Sequence, residues 1–207
     1  MSLTTGLIAI KGEHLDKLPE ILSLYRMVDT GDDESVNDFD EALAIVSELR
    51  EPAPDDTSEK HVVWVDKGWT LIEDMTLILC ANEDALLKIS QHLSTPVFSL
   101  LTQGTCNCFG FWYFDKVKRR SFYIEDTEIV DNFGEPLTEE AGFNINEHTF
   151  YDDVHGVAKA MEIDWEGAVS LHSFTVKRLD YEEEVRQGML NTIARHAAEK
   201  AANAVEK

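Results

Sequence analysis

Apolar and polar positions alternate most sharply between Pro96 and Leu137, PVFSLLTQGTCNCFGFWYFDKVKRRSFYIEDTEIVDNFGEPL. Alternate side chains of a strand face opposite sides. In Cys108–Phe114 this places Phe109, Phe111 and Tyr113 on one face and Cys108, Trp112 and Phe114 on the other. Both faces are apolar, which predicts a strand covered on both sides. Gly110 within the run signals a bulge or the close approach of another backbone. Val97–Leu101, Arg120–Glu125 and Glu128–Val130 read as companion strands. Gln103-Gly104-Thr105 and Asp115–Lys118 supply turns between them. Pro136 lacks the N–H that a central ladder needs and ends the run. The stretch predicts an antiparallel meander at the core of the fold.

Gly6–Lys11, built on LIAI, predicts a strand. Leu15, Leu18, Leu22 and Tyr25 recur at helical spacing, with Ile21 alongside. They predict a helix over Asp16–Met27, with Pro19 in the first turn, where a missing N–H costs little. Asp29–Glu34, DTGDDE, reads as a polar loop. Asp38-x-x-Glu41 resembles a capping box with Asp in place of Ser or Thr. Phe39, Ala42, Leu43 and Val46 then carry a second helix to about Leu49. Glu51–Lys60, EPAPDDTSEK, reads as a loop within one domain. His61–Asp66 and Trp69–Glu73 predict a hairpin around Lys67-Gly68, and Thr76–Cys80 a further strand. Asn82 can cap a helix over Glu83–Leu93, which Ser94-Thr95-Pro96 stops. Ala141–Phe150 reads as irregular.

Asp152 or Asp153 can cap a short helix carrying Val154, Val157, Ala158 and Met161. Ile163–Lys177 carries two signals: SFTVK favours strand, while Glu166–Leu171 permits helix. Tyr181 to about Val205 predicts a helix, since Val185, Met189 and Ile193 recur at i, i+4 and alanines follow. No segment repeats at a fixed period. Together these elements predict a single α+β domain over residues 1–207. An antiparallel sheet of about six or more strands is covered by helices on at least one face. A helical subregion over 12–50 and a long C-terminal helix over 180–205 complete the expectation.

Charge changes this picture most. Eighteen basic residues against forty acidic ones leave a formal net charge of −22. Such a chain repels nucleic acid and anionic membrane as direct partners and permits a basic protein partner. The acidity is also unevenly spread. Asp29–Glu59 holds twelve Asp or Glu and one base, Arg50, a net −11 and half the excess of the whole chain. Glu125–Glu140 holds seven acids and no base. Fields of this kind steer a basic partner into contact, although acidity also serves solubility alone. A hydrophobic fraction of 43% argues against wholesale disorder. MSLTTGLIAIKGEHL lacks a basic n-region and a long apolar core, and no run of 18 apolar residues occurs. Three cysteines, Cys80, Cys106 and Cys108, without an export signal fit reduced thiols in a cytoplasmic setting.

The chemical motifs are weaker. Zinc wants four ligands, often from cysteines two residues apart. Cys106-x-Cys108 has a spacing of one, no second pair exists, and Cys80 would have to be the third ligand. Buried small hydrophobes are the ordinary reading of such cysteines. Asp152-Asp153-x-His155, with His148 nearby, could ligate a metal, but acidic residues at a helix start cap N–H groups. No G-x-S-x-G, H-E-x-x-H, P-loop or G-x-G-x-x-G is present. Triads assembled only in space leave no local signature, so an enzyme here would rely on Cys108 or His155. The expectation is no catalytic residue, no metal and no cofactor. Lys116, Lys118, Arg119 and Arg120 form the one basic cluster and read as a solvated hairpin tip. The tryptophans, Trp64, Trp69, Trp112 and Trp165, read as core or sheet-face residues, with Trp69 beside a turn the exception.

The aromatic strand CFGFWYF, the basic turn, RRSFYIED and then GEPLTEE at Gly134–Glu140 resemble a pattern in a loose group of bacterial proteins. Some of these sit beside toxin genes and resemble immunity proteins. The resemblance implies a toxin-neutralising role and carries no functional residues with it. The sequence therefore points to a non-enzymatic cytoplasmic binding protein that occludes a basic partner. Its expected contact residues are Asp32, Asp33, Glu34, Asp38, Asp40 and Glu41. The alternatives are a mimic of nucleic-acid charge that inhibits a nucleic-acid-binding enzyme, or an enzyme using Cys108 or His155.

Overall fold

A computed structural model describes residues 4–47, 56–165 and 173–205, with side chains through residue 195. The chain is a mixed α+β fold. Nine strands form one open antiparallel sheet: β1 Thr4–Lys11, β2 Met27–Val36, β3 Glu59–Asp66, β4 Trp69–Glu73, β5 Val97–Gln103, β6 Cys108–Phe114, β7 Lys118–Glu125, β8 Glu128–Phe133 and β9 Phe174–Tyr181. Their order is β2-β9-β3-β4-β1-β5-β6-β7-β8. Among the described residues five α-helices accompany them: α1 Leu18–Leu24, α2 Phe39–Ser47, α3 Glu83–Leu93, α4 Tyr151–Ala160 and α5 Glu183–Val205.

The central strand, fifth of nine, is β1 rather than any strand of the meander. Thr5–Ile10 are all buried, because LIAI offers apolar side chains to both faces at once. The meander β5–β8 forms one half of the sheet and runs out to an exposed edge at β8. Its internal reading holds. Phe109, Phe111 and Tyr113 pack with α2 and α4 on one face, while Cys108, Trp112 and Phe114 pack with α1 and α3 on the other. The sheet is thus the middle of three layers. Each fully buried large apolar side chain, Phe98, Phe111 and Phe122 among them, contributes about 1.5–3 kcal/mol. Gly110 marks a close approach: a Cβ there would stand 2.6 Å from the Phe122 carbonyl oxygen. The register shift of the β6–β7 pair lies elsewhere, at Tyr113/Phe114.

The structure departs from several of these expectations. Asp29–Glu34 is not a loop but part of β2, which pairs with β9. A sheet edge needs no apolar alternation, so the polar run conceals the strand. Thr76–Cys80 is not a strand. The buried Asp74 carboxylate gathers it into a turn, accepting bonds from the Thr76 hydroxyl (2.6 Å), Leu79 N–H (2.7 Å) and Cys80 N–H (2.9 Å). The first helix stops at Leu24, short of Met27, because Arg26 takes a left-handed φ of 59° and turns the chain into β2. The boundary of α5 also moves, since Tyr181 belongs to β9. The helix reading of Glu166–Leu171 and the first half of the loop reading of Glu51–Lys60 fall outside the described residues, and the loop ends early because Glu59 and Lys60 already belong to β3.

The basic cluster is also not a solvated tip throughout. Arg120 is buried, and its Nε and Nη2 donate to the two carboxylate oxygens of Glu140 at 2.8 and 3.0 Å. Its Nη1 donates to the Ser121 and Phe133 carbonyls and to Asn132 Oδ1. This explains the Gly134–Glu140 signature physically. Gly134 has φ 82°, and a Cβ there would collide with the Arg119 carbonyl. Glu140 closes the segment by accepting from Leu137 N–H as well.

Candidate functional site

The six expected contact residues are all exposed along the β2 edge and the start of α2, with those on β2 divided between the two faces of the sheet. The register explains how. Met27–Asp29 pair with Tyr181–Leu179, and Asp33–Val36 pair with Lys177–Phe174. Residues 30–32 bulge between these blocks. The bulge brings two carboxylates four residues apart onto one cation: Lys177 Nζ lies 2.6 Å from both Asp29 and Asp33. On the other face Arg178 lies 3.7 Å from Asp32 and 2.8 Å from Asp56. Thr30, Asp32, Asp56, Ser58, Arg178 and Asp180 line an open groove there.

Asp38 caps α2, accepting the Glu41 N–H at 2.9 Å. Phe39 anchors the helix against Trp64 and Phe174, with ring centroids 5.3 Å away in each case. No ion pair involves Glu34, Asp40 or Glu41 among the described residues. Counting Asp29 with the six, seven carboxylates and the two cations that pair with three of them sum to a formal −5. Burial opposes ionisation of Asp29, but Lys177 and the Gly31 N–H outweigh it and hold the carboxyl below its usual range. Asp56 is held low by the Ser58 hydroxyl and N–H and by Arg178. Lys177 is raised, as Asp29 and Asp33 outweigh its own burial. No local pattern marks Lys177 and Arg178 as members of this surface, because strand pairing over a long separation brings them there.

The two residues singled out for catalysis lie on opposite faces of the sheet. Cys108 is in the layer under α1 and α3, and His155 projects from α4 on the other side. His155 sits between Tyr151 and Trp165, with ring centroids 3.5 and 3.9 Å away, and burial lowers its pKa to about 3. Asp153 serves the helix start, accepting the N–H groups of Phe150 and Asn144. Among the described residues no group of three or more His, Cys, Asp or Glu side chains is placed to hold a metal. Trp69 is buried, with Lys11 Nζ 4.6 Å from its ring centroid, so it is no exposed anchor.

Sequence reasoning missed one buried polar cluster. His61, with no exposed surface, bonds the Glu73 carbonyl through Nδ1 at 3.0 Å. A carbonyl only accepts, so Nδ1 carries the proton. Nε2 lies 3.6 Å from Glu59, and Nδ1 lies 3.9 Å from Asp74. Burial alone would lower the His61 pKa, but Glu59, Asp74 and the Glu73 carbonyl together raise it. Burial pushes Glu73 up to about 8, with His61 opposing and Asp74 adding to the rise. Tyr181 donates to Glu59 at 3.3 Å from β9. Enclosed in this way, the cluster ties β3, β4, β9 and the Asp74 turn together.

Among the described residues no helix is long and apolar enough to cross a membrane. No protein-family model, curated protein or solved structure matches the chain, so the reading of its surface rests on its own geometry and charge.

Proposed function

We propose that the chain is a non-enzymatic binding protein that occludes a basic protein partner through the β2 edge and the start of α2. An immunity protein that neutralises a basic toxin is the sharpest form of this reading. One observation carries it: seven carboxylates lie along one edge strand and the helix after it, and among the described residues Lys177 and Arg178 are the cations that pair with them. A strand at a sheet edge also offers unpaired backbone groups to a partner. Charge of this density draws an oppositely charged protein into encounter, and the effect is screened beyond about 8 Å at physiological salt.

The test changes only carboxylates that leave the Lys177 pairs and the α2 cap intact. Asp32→Asn, Glu34→Gln, Asp40→Asn and Glu41→Gln are combined, and association is followed by stopped flow against the basic protein captured from source-cell lysate. The on-rate should fall by roughly tenfold or more at low salt, and its salt dependence should flatten. An unchanged rate would remove this surface from the contact. Competition by plain duplex DNA would move the reading to mimicry of nucleic-acid charge.

A further inference from the structure

The turn joining β5 to β6 holds two thiols that the acidic surface does not involve. Cys106 is exposed in the turn, and Cys108 is buried at the first position of β6. Their sulfurs lie 2.8 Å apart. Asn107 between them has a left-handed φ of 51°, which folds the chain so that both side chains converge. In a regular strand the two would stand side by side on one face with no such contact. The Cys106 thiol also donates to Gln103 Oε1 at 3.1 Å, which fixes it toward the turn. Cys80, the remaining cysteine, is buried beneath the Asp74 turn and takes no part.

We propose that Cys106 and Cys108 form a reversible thiol–disulfide exchange site that takes low-molecular-weight disulfides of the glutathione class. The division of labour follows from exposure. Cys106 meets solvent, so its thiolate attacks one sulfur of the incoming disulfide. A mixed disulfide forms, and the other half leaves as a thiol once it takes up a proton. Cys108 then gives up its proton, and its sulfur attacks Cys106 in the mixed disulfide. The intrachain Cys106–Cys108 bond forms, and the second small thiol leaves with that proton. Two protein thiols lose two electrons, and one small disulfide gains them. Burial, and then Cys106 beside it, pushes the Cys108 thiol up to about 11, which disfavours it as the first attacker. Once Cys106 is capped, its share of that rise is removed, and the resolving step becomes easier. The site stands independently of the proposed partner surface.

The test uses the reduced full-length protein in glutathione buffers of increasing oxidised fraction. Free thiols are trapped by alkylation, and intact and peptide masses are measured. The expected product has lost two hydrogens, carries a Cys106–Cys108 bond and retains no glutathione. Cys108→Ser should instead accumulate glutathione on Cys106 at roughly ten times the wild-type level, since nothing resolves the adduct. Cys106→Ser should accumulate neither species, as Cys108 is shielded. Three results would overturn the proposal: a lasting glutathione adduct on the wild-type protein, disulfide-linked dimers as its main product, or no oxidation under conditions that oxidise a free dithiol. The wild-type measurement decides the matter even where a substitution disturbs folding.

Discussion

Replacing Glu140 by alanine should destabilise the protein by about 3–5 kcal/mol. The partner left behind is Arg120, whose side chain is only 3% exposed. Its Nη1 keeps the Ser121, Asn132 and Phe133 acceptors, but Nε and Nη2 lose the carboxylate. The Leu137 N–H loses its acceptor as well. In urea, with a slope of about 2–3 kcal/mol per molar for a chain of this size, the unfolding midpoint should fall by about 1–2.5 M. Glu140→Gln keeps one acceptor oxygen and should fall between the wild type and the alanine variant. The double variant Arg120→Met, Glu140→Leu removes the stranded charge and should be more stable than Glu140→Ala. A loss below about 1 kcal/mol for Glu140→Ala, or a double variant no better than it, would refute the account of the Gly134–Glu140 signature as a clasp on Arg120.

Two further outcomes follow from local geometry. Gly134→Ala should cost about 2 kcal/mol or more by denaturant melting, because φ 82° and a collision with the Arg119 carbonyl act together. Gly142→Ala, at φ 97° with open space around it, should cost less, and equal losses would show that the collision contributes nothing. Glu73 should give the protein a pH-dependent stability. Its folded pKa of about 8 stands above an ordinary 4.5, so its contribution is complete below the lower value and lost as pH rises through the higher one. Glu73→Gln should therefore gain in Tm relative to wild type between about pH 5 and about pH 8, and a constant difference across that range would argue against a protonated Glu73.

The meander was legible because each of its faces is apolar in its own right. Cys108–Phe114 has the predicted bounds and faces, since burial on both sides writes period-two information twice into seven residues. The strand β2 was hidden for the opposite reason. Only its ends, Met27 and Val36, are buried, and its middle is solvent-facing carboxylate. Local pattern cannot report a strand whose ladder is made with residues 174–181. Thr76–Cys80 misleads in the other direction: TLILC is apolar, but the preceding Asp74 spends both carboxylate oxygens on its backbone. The acidity of the candidate surface could be read from composition. Which carboxylates are already paired could not, because Lys177 and Arg178 arrive from β9 through tertiary pairing. The same holds for Arg120, which a string of bases suggested was exposed.

The position of β2 also bears on the order in which the molecule is assembled. Among the described residues its one neighbour in the sheet is β9, and β9 docks on β3. Synthesis runs from the N-terminus, and no strand can pair before its neighbour has been made. The strands β1 and β3–β8 can all pair before residue 174 exists, each with a neighbour already made. Met27–Val36 must wait as an unpaired acidic segment while the rest of the sheet closes, bearing the entropic cost of a long loop. The acidic rim is thus the last strand to be laid down although it is the second to be translated. On the binding role proposed above, a nascent chain is inert toward its partner until the C-terminal strand is in place. Loss of residues 174–181 would silence the surface without touching one of its seven carboxylates.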